Sequence, residues 1–174
     1  MASGSAACPT CGVNDAAIRG QFLGRPPELS PLIDEVGLAP SLRVNRDRIE
    51  TTVNQIQRTY PQIRPFVCLA QLPQEVSLQE YGFWLFNHSE DPYAVSADSR
   101  YFGLLLVLDP DRGEAAFTAG FALEHYLSDN ELIDILESAV GYWEQGQWEN
   151  GIDACFTSVL LSLSRGYQSL TARS

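Results

Sequence analysis

The chain has 174 residues, 45% of them apolar and 19% charged, and carries a formal net charge of −11 with no lysine at all. That length suits one domain with a real core and is tight for two, and no apolar run reaches the roughly 20 residues that cross a bilayer. A surface of this sign repels phosphate backbones and anionic lipid, which excludes nucleic-acid binding and membrane docking, and it attracts cations, either a metal ion or a basic protein partner.

The charge is concentrated. Between Asp109 and Asp153 eleven carboxylates stand against a single cation, Arg112. Met1 to Ala7 have neither the basic nor the apolar region of a signal peptide, so the sequence reads as cytoplasmic. Residues 1–42 are a poorly patterned leader with scattered Gly, Ser and Pro, in which Leu32-Ile33 and Val36 are apolar enough to dock without forming a long element. Cys8 and Cys11 form a Cys-Pro-Thr-Cys-Gly knuckle, half of a zinc ribbon. No second knuckle follows, and His88 and His125 lack ligand spacing, so a complete zinc site is not expected. Zinc shared across a dimer, a local redox pair and a vestigial ribbon stay open. Cys68 and Cys155 fall in apolar patterns and read as small buried hydrophobes.

Residues 43–174 are expected to form the domain. A first helix runs from about Asp47 to Thr59, with Ile49, Val53, Ile56 and Tyr60 on one face, Asn45 or Asp47 as cap and Pro61 as stop. Phe66 to Leu72 reads as a buried strand. Ser77 and Glu80 make a capping box for a helix to about Asn87. Phe102 to Leu108, almost continuously apolar, suits a central strand covered on both faces. A Pro- and Gly-bearing turn, Asp109 to Gly113, leads to a hairpin strand over 114–121. Ser128 and Glu131 cap a helix that Gly146 stops, and a last helix starts near Gln147. The order predicts an α/β fold, a three-layer α/β/α sandwich around a small, mostly parallel sheet with a hairpin. In an open sheet of this kind the site is expected at the carboxyl ends of the strands.

Motifs for phosphate loops, nucleophile elbows and zinc proteases are absent. The adjacent Glu124-His125 pair points its side chains apart, and the stripe Tyr81, Phe83, Trp84, Phe86 reads as core and helix surface. The informative cluster is acidic. Glu124 and Asp129 flank the gap between the hairpin strand and the capped helix, and Asp98 lies just before the central strand. Hard oxygen ligands on separate loops are what calcium or magnesium requires, although Asp129 also suits a helix first turn without any metal.

Four segments in order resemble the TPM domain family, named after its thylakoid-lumen, photosystem-repair and membrane-associated members. They are Val76-Ser-Leu-Gln-Glu-Tyr81, Gly103-Leu-Leu-Leu-Val-Leu-Asp109, Gly120-Phe-Ala-Leu-Glu-His-Tyr-Leu-Ser-Asp129 and Trp143-Glu-Gln-Gly-Gln-Trp-Glu-Asn-Gly151, and the resemblance spans about residues 43–165. It implies an α/β/α sandwich with an acidic cleft, calcium in some members and a weak acid phosphatase activity. It carries Glu124 and Asp129 over as the acids, with Asp129 as the catalytic candidate; Asp98 matches no family position and serves as a displaced third metal ligand only if its loop bends back. Tyr101-Phe102 stand where the family has Asp-Asn, and Ala122 stands at the second glycine of Gly-Tyr-Gly, so calcium binding is expected to be weak. The lone knuckle points to a bacterial, ribbon-bearing branch. Two functions follow. The preferred one is an interaction or assembly module that presents an acidic cleft to a basic protein partner. The alternative is a weak metal-dependent phosphoester hydrolase, for which only Arg100 and Arg112 lie near enough to offset developing negative charge.

Overall fold

A computed structural model describes Phe22, residues 24–92, Ala94 and residues 96–171; Cys8 and Cys11 lie outside them. Strand β1 (Leu32–Ile33) precedes helix α1 (Arg46–Thr59), strand β2 (Arg64–Leu69) and helix α2 (Leu78–His88). A short 3-10 helix, Ala97–Phe102, leads into strand β3 (Gly103–Asp109) and its hairpin partner β4 (Glu114–Ala119). A second 3-10 turn, Phe121–Leu123, is followed by helices α3 (Asp129–Glu144) and α4 (Trp148–Thr171). The sheet order is β1-β2-β3-β4, parallel across the first three strands and antiparallel between β3 and β4. This is the mixed, mostly parallel sandwich that the element order predicts.

The period-two alternation of the strands divides the interior in two. Leu104, Leu106 and Leu108 of β3 and Val67 and Leu69 of β2 face a core shared with Ile49, Val53 and Ile56 of α1, Ile135 of α3 and Phe156 of α4. Leu105 and Val107, with Phe66 and Cys68, face a smaller core under Leu78, Trp84, Leu85 and Phe86 of α2. Every residue of β3 is buried, which is why its sequence shows no alternation of polarity.

Local signals set the boundaries. The Asn45 side chain accepts hydrogen bonds from the backbone of Asp47 and Arg48 at 2.8 and 3.3 Å, so Asn45 is the cap of α1. Ser77 caps α2 through Glu80 N at 3.3 Å, and the Ser128–Glu131 box closes in both directions. Gly113 and Gly146 adopt φ of 66° and 71°, the left-handed conformation that a hairpin turn and a helix stop demand. Strand β2 starts two residues before the expected Phe66, at Arg64, and includes Pro65. The proline is tolerated because β1 pairs only from Val67 onward, so at Pro65 the strand has a neighbour on one side.

The segment upstream of Val44 contributes to both cores. Leu29, Leu32 and Ile33 are at most 4% exposed. Leu32 joins the larger core and Ile33 the smaller. Before them the chain runs along α2. Leu29 N donates to Glu90 O at 2.8 Å, Arg25 pairs with Glu90, and the Phe22 ring stacks on Trp84 with centroids 5.0 Å apart. Val36 is exposed.

Candidate functional site

Because β4 runs antiparallel to β3, its carboxyl end lies beside the amino end of β3. Gly120 N donates to Gly103 O at 2.8 Å. A cavity of about 360 Å³ opens there, along the free edge of β4 and between α2 and α3. One wall carries Gln79, Phe83, Phe86 and Asn87 of α2. The other carries Leu127, Asp129 and Leu132, and residues 117–121 and Glu124 form the floor and rim. The cleft is thus at the amino end of the parallel strands, opposite to the carboxyl-end position expected from open α/β sheets. The reversal follows from the hairpin, which carries the Gly120–Asp129 segment back across the sheet.

The carboxyl end of β3 is filled by the chain itself. Asp109 is fully buried and accepts from Leu72 N at 2.9 Å and Arg112 N at 3.3 Å. The Arg112 guanidinium donates to the carbonyls of Val76 and Pro73 at 2.6 and 3.3 Å and pairs with Glu114 at 2.6 Å. These bonds organise the hairpin turn and leave Arg112 remote from the cleft.

Of the three acids singled out in the sequence, Glu124 and Asp129 line this cavity and both are exposed. Asp98 is exposed in the 3-10 helix before β3 and does not line it. Among the described residues no three His, Cys, Asp or Glu side chains gather as a metal-ligand group. A hard cation wants six to eight oxygens; two carboxylates do not by themselves meet that need.

Arg100 also lines the cavity, but its guanidinium is engaged. It donates to the carbonyl oxygens of Asn87 and Ser89, where it caps the end of α2 and complements the negative pole of that helix. The cleft floor is set by a close approach: a Cβ on Gly120 would lie 2.2 Å from Arg100 O and 2.5 Å from Tyr101 O. Gly120 is the first glycine of the Gly-Phe-Ala-Leu-Glu stretch, so this contact accounts physically for that glycine.

Two side chains at the rim carry no chemistry in the sequence pattern and stand out in space. Phe121 is 66% exposed and Tyr101 52%, and both line the cavity with the two acids. Ile133, one turn beyond Asp129 on α3, is also exposed. The only sequence signal for this rim was the aromatic Tyr101 in place of the family's acid. Cys68 and Cys155 lie elsewhere. Burial pushes the thiols of Cys68 and Cys155 up to about 12, so neither is a thiolate at neutral pH.

The architecture defines a mixed α/β sandwich of a known structural class. The N-terminal domain of a protein from P. gingivalis superposes with a TM-score of 0.60 at 22% identity, over 76% of this chain and 81% of that one. The N-terminal domain of the cg2496 protein of Corynebacterium glutamicum gives 0.54 at 16%, over 75% and 77%. The BA42 protein of the psychrophilic Bizionia argentinensis gives 0.55 at 12%, over 70% and 82%. At these identities the likeness shows the fold alone. The TPM domain model matches residues 42–160, more than half of the chain, and the chain belongs to that family. No curated protein matches it. Among the described residues no helix is long and apolar enough to cross a membrane.

Proposed function

We propose that the chain is a protein-interaction module whose cleft receives a basic segment of a partner. The observation that carries this reading is the composition of the cleft. Two exposed carboxylates, Glu124 and Asp129, share a concave surface with the exposed rings of Tyr101 and Phe121. Exposed aromatics beside a concavity are the usual anchors of an interface, and carboxylates next to them favour Arg or Lys on the other side. The cleft's own cation, Arg100, is bonded to backbone carbonyls, so it adds little to anion capture.

The second reading is phosphoester hydrolysis with Asp129 as the reacting acid and a metal on Glu124 and Asp129. It is favoured by the pairing of those two acids in one cavity. It is opposed by the engagement of Arg100, since a transferring phosphoryl group needs positive charge aimed at its oxygens. Calcium, in this reading, binds weakly.

The two readings separate in one set of assays. A labelled decapeptide of alternating Arg and Val should bind the chain, with affinity that falls as salt screens the carboxylates. The pair of substitutions Glu124→Gln and Asp129→Asn should weaken it by at least about tenfold, or 1.4 kcal/mol. Undiminished binding to the double variant would defeat the proposal. Aryl phosphate turnover that survives repurification and vanishes in Asp129→Asn would establish the hydrolase instead.

A further inference from the structure

The cleft is formed around an open strand. β4 ends the sheet, and α2 and α3, on opposite faces, supply the two walls of the cavity along its edge. The directly opposed Gly103–Gly120 bond at 2.8 Å fixes which backbone groups are used internally. From that bond and the register, Thr118 and Ala116 exchange hydrogen bonds with Leu105 and Val107. The alternate residues, Ala115, Phe117 and Ala119, therefore turn their N–H and C=O groups outward, into the plane of the sheet.

Exposed edges are normally blunted by lysine, proline, a bulge or a covering element. β4 reads Glu-Ala-Ala-Phe-Thr-Ala and has neither lysine nor proline. Its alanines leave the edge approachable, and the cavity beside it has room for incoming side chains. What guards the edge is charge: Glu124 and Asp129 at one end, while Glu114 at the other is paired with Arg112. That guard acts against one class of strand and for another. Two copies of this chain, each with net charge −11, would bring like charges together across an edge-to-edge pair. A basic strand would meet complementary ones.

We infer that the cleft binds its partner by strand addition, with an extended basic segment hydrogen-bonded to the outward groups of Ala115, Phe117 and Ala119. The inference rests on the basic-partner reading above and specifies its geometry. Side chains of an added strand alternate between faces. One set passes over Phe83 and Phe86 on α2 and the other over Leu132 and Asp129 on α3. The preferred segment is therefore apolar at alternate positions and basic at those between, with Arg or Lys on the α3 side.

Backbone methylation tests the geometry without touching charge. The alternating Arg-Val decapeptide is prepared in two further forms, each N-methylated on every second amide, one on the odd and one on the even positions. Only one set of amides can face β4. One methylated form should bind at least about tenfold more weakly than the parent, and the other should bind like it. In the unmodified protein, amide exchange at Ala115, Phe117 and Ala119 should slow in the complex, while that at Ala116 and Thr118, already paired with β3, should not change. Ala119→Pro removes one outward N–H and should weaken the parent peptide, with thermal unfolding as the check on its fold. Equal binding of all three peptides overturns strand addition and leaves the basic-partner reading intact. Failure of the parent peptide to bind overturns both. Dimerisation of the chain through β4, seen as amide protection at the same residues with no peptide present, also overturns the assignment, because it would make a second copy the occupant.

Discussion

The Cβ that Gly120 lacks would lie 2.2 Å from the carbonyl oxygen of Arg100. Both groups are backbone or backbone-attached, so neither can rotate out of the way. Gly120→Ala should therefore destabilise the fold by roughly 1–3 kcal/mol through overpacking and weaken peptide binding. Gly151→Ala is the control. Its Cβ would meet Trp143 Nε1 at 2.0 Å, but an indole can swing where a peptide unit cannot. It should cost less and show itself as a change in tryptophan emission, because Trp143 stacks on Trp148 with centroids 6.2 Å apart. Denaturant titration of both variants checks the order, and a larger loss at Gly151 would contradict it.

The buried thiols predict an alkaline limit. Burial raises Cys68 and Cys155 from 9.0 to about 12 in the folded chain. Their stabilising effect is complete below pH 9 and is lost as pH rises towards 12, because the unfolded chain releases protons that the folded chain holds. Each thiol lowers stability by about 1.4 kcal/mol per pH unit in that window. Tyr81, which burial also raises and which hydrogen-bonds Cys68, adds to the loss above pH 10. Unfolding free energies measured from pH 8 upward should fall with this slope, and Cys155→Ala should flatten it by one thiol's share.

Calcium is expected to stabilise the chain little. At a hundred times its dissociation constant a ligand adds about 2.7 kcal/mol, several degrees of melting temperature for a domain near this size. With two carboxylates at the cleft, the shift at millimolar calcium should stay below about one or two degrees, with magnesium giving the same result. A larger shift with calcium alone, abolished by Glu124→Gln, would place a metal at the cleft.

Deletions at the amino end should divide sharply. Removal of residues 1–21 should leave a cooperative transition, since the Phe22–Trp84 contact and the core remain. Removal of residues 1–42 takes away Leu29, Leu32 and Ile33. Three fully buried aliphatic side chains are worth roughly 5–9 kcal/mol, against a total stability of about 5–15 kcal/mol for most domains. The longer deletion should lose most of the transition in calorimetry, and an unchanged melting temperature would refute this.

The sheet and helices were legible because their signals are local and redundant. Ser128 and Glu131 announce α3, and Phe102 to Leu108 announce a strand buried on both faces. The docking of Leu32-Ile33 was legible, but their pairing as a strand and the burial of Leu29 were not, because a two-residue edge strand has no period to detect and Leu29, upstream of it, is an isolated apolar residue in an unpatterned segment. The cavity lies away from the carboxyl ends of the parallel strands for a topological reason. Glu124 and Asp129 both line it, but which end of the sheet they occupy depends on the antiparallel return of β4, and the usual rule describes parallel strands. Tyr101, Phe121 and the outward backbone of Ala115, Phe117 and Ala119 became visible only once strand order fixed β4 as terminal.

The turn that Asp109 and Arg112 organise also bears on how this fold can change. A guanidinium held by two carbonyls and a carboxylate lies at the end of the sheet where comparable architectures receive ligands. The chain has in effect built its own occupant into that position. Recruiting that end for new chemistry would require evicting Arg112, which would leave Val76 O and Glu114 without their donor and Pro73 O with only its bond from Val76 N. The β4 edge carries no such obligation: its outward groups form no part of the ladder with β3, and the side chains that rim it are exposed. Diversification of this domain is therefore freest at the cleft and most constrained at the hairpin turn.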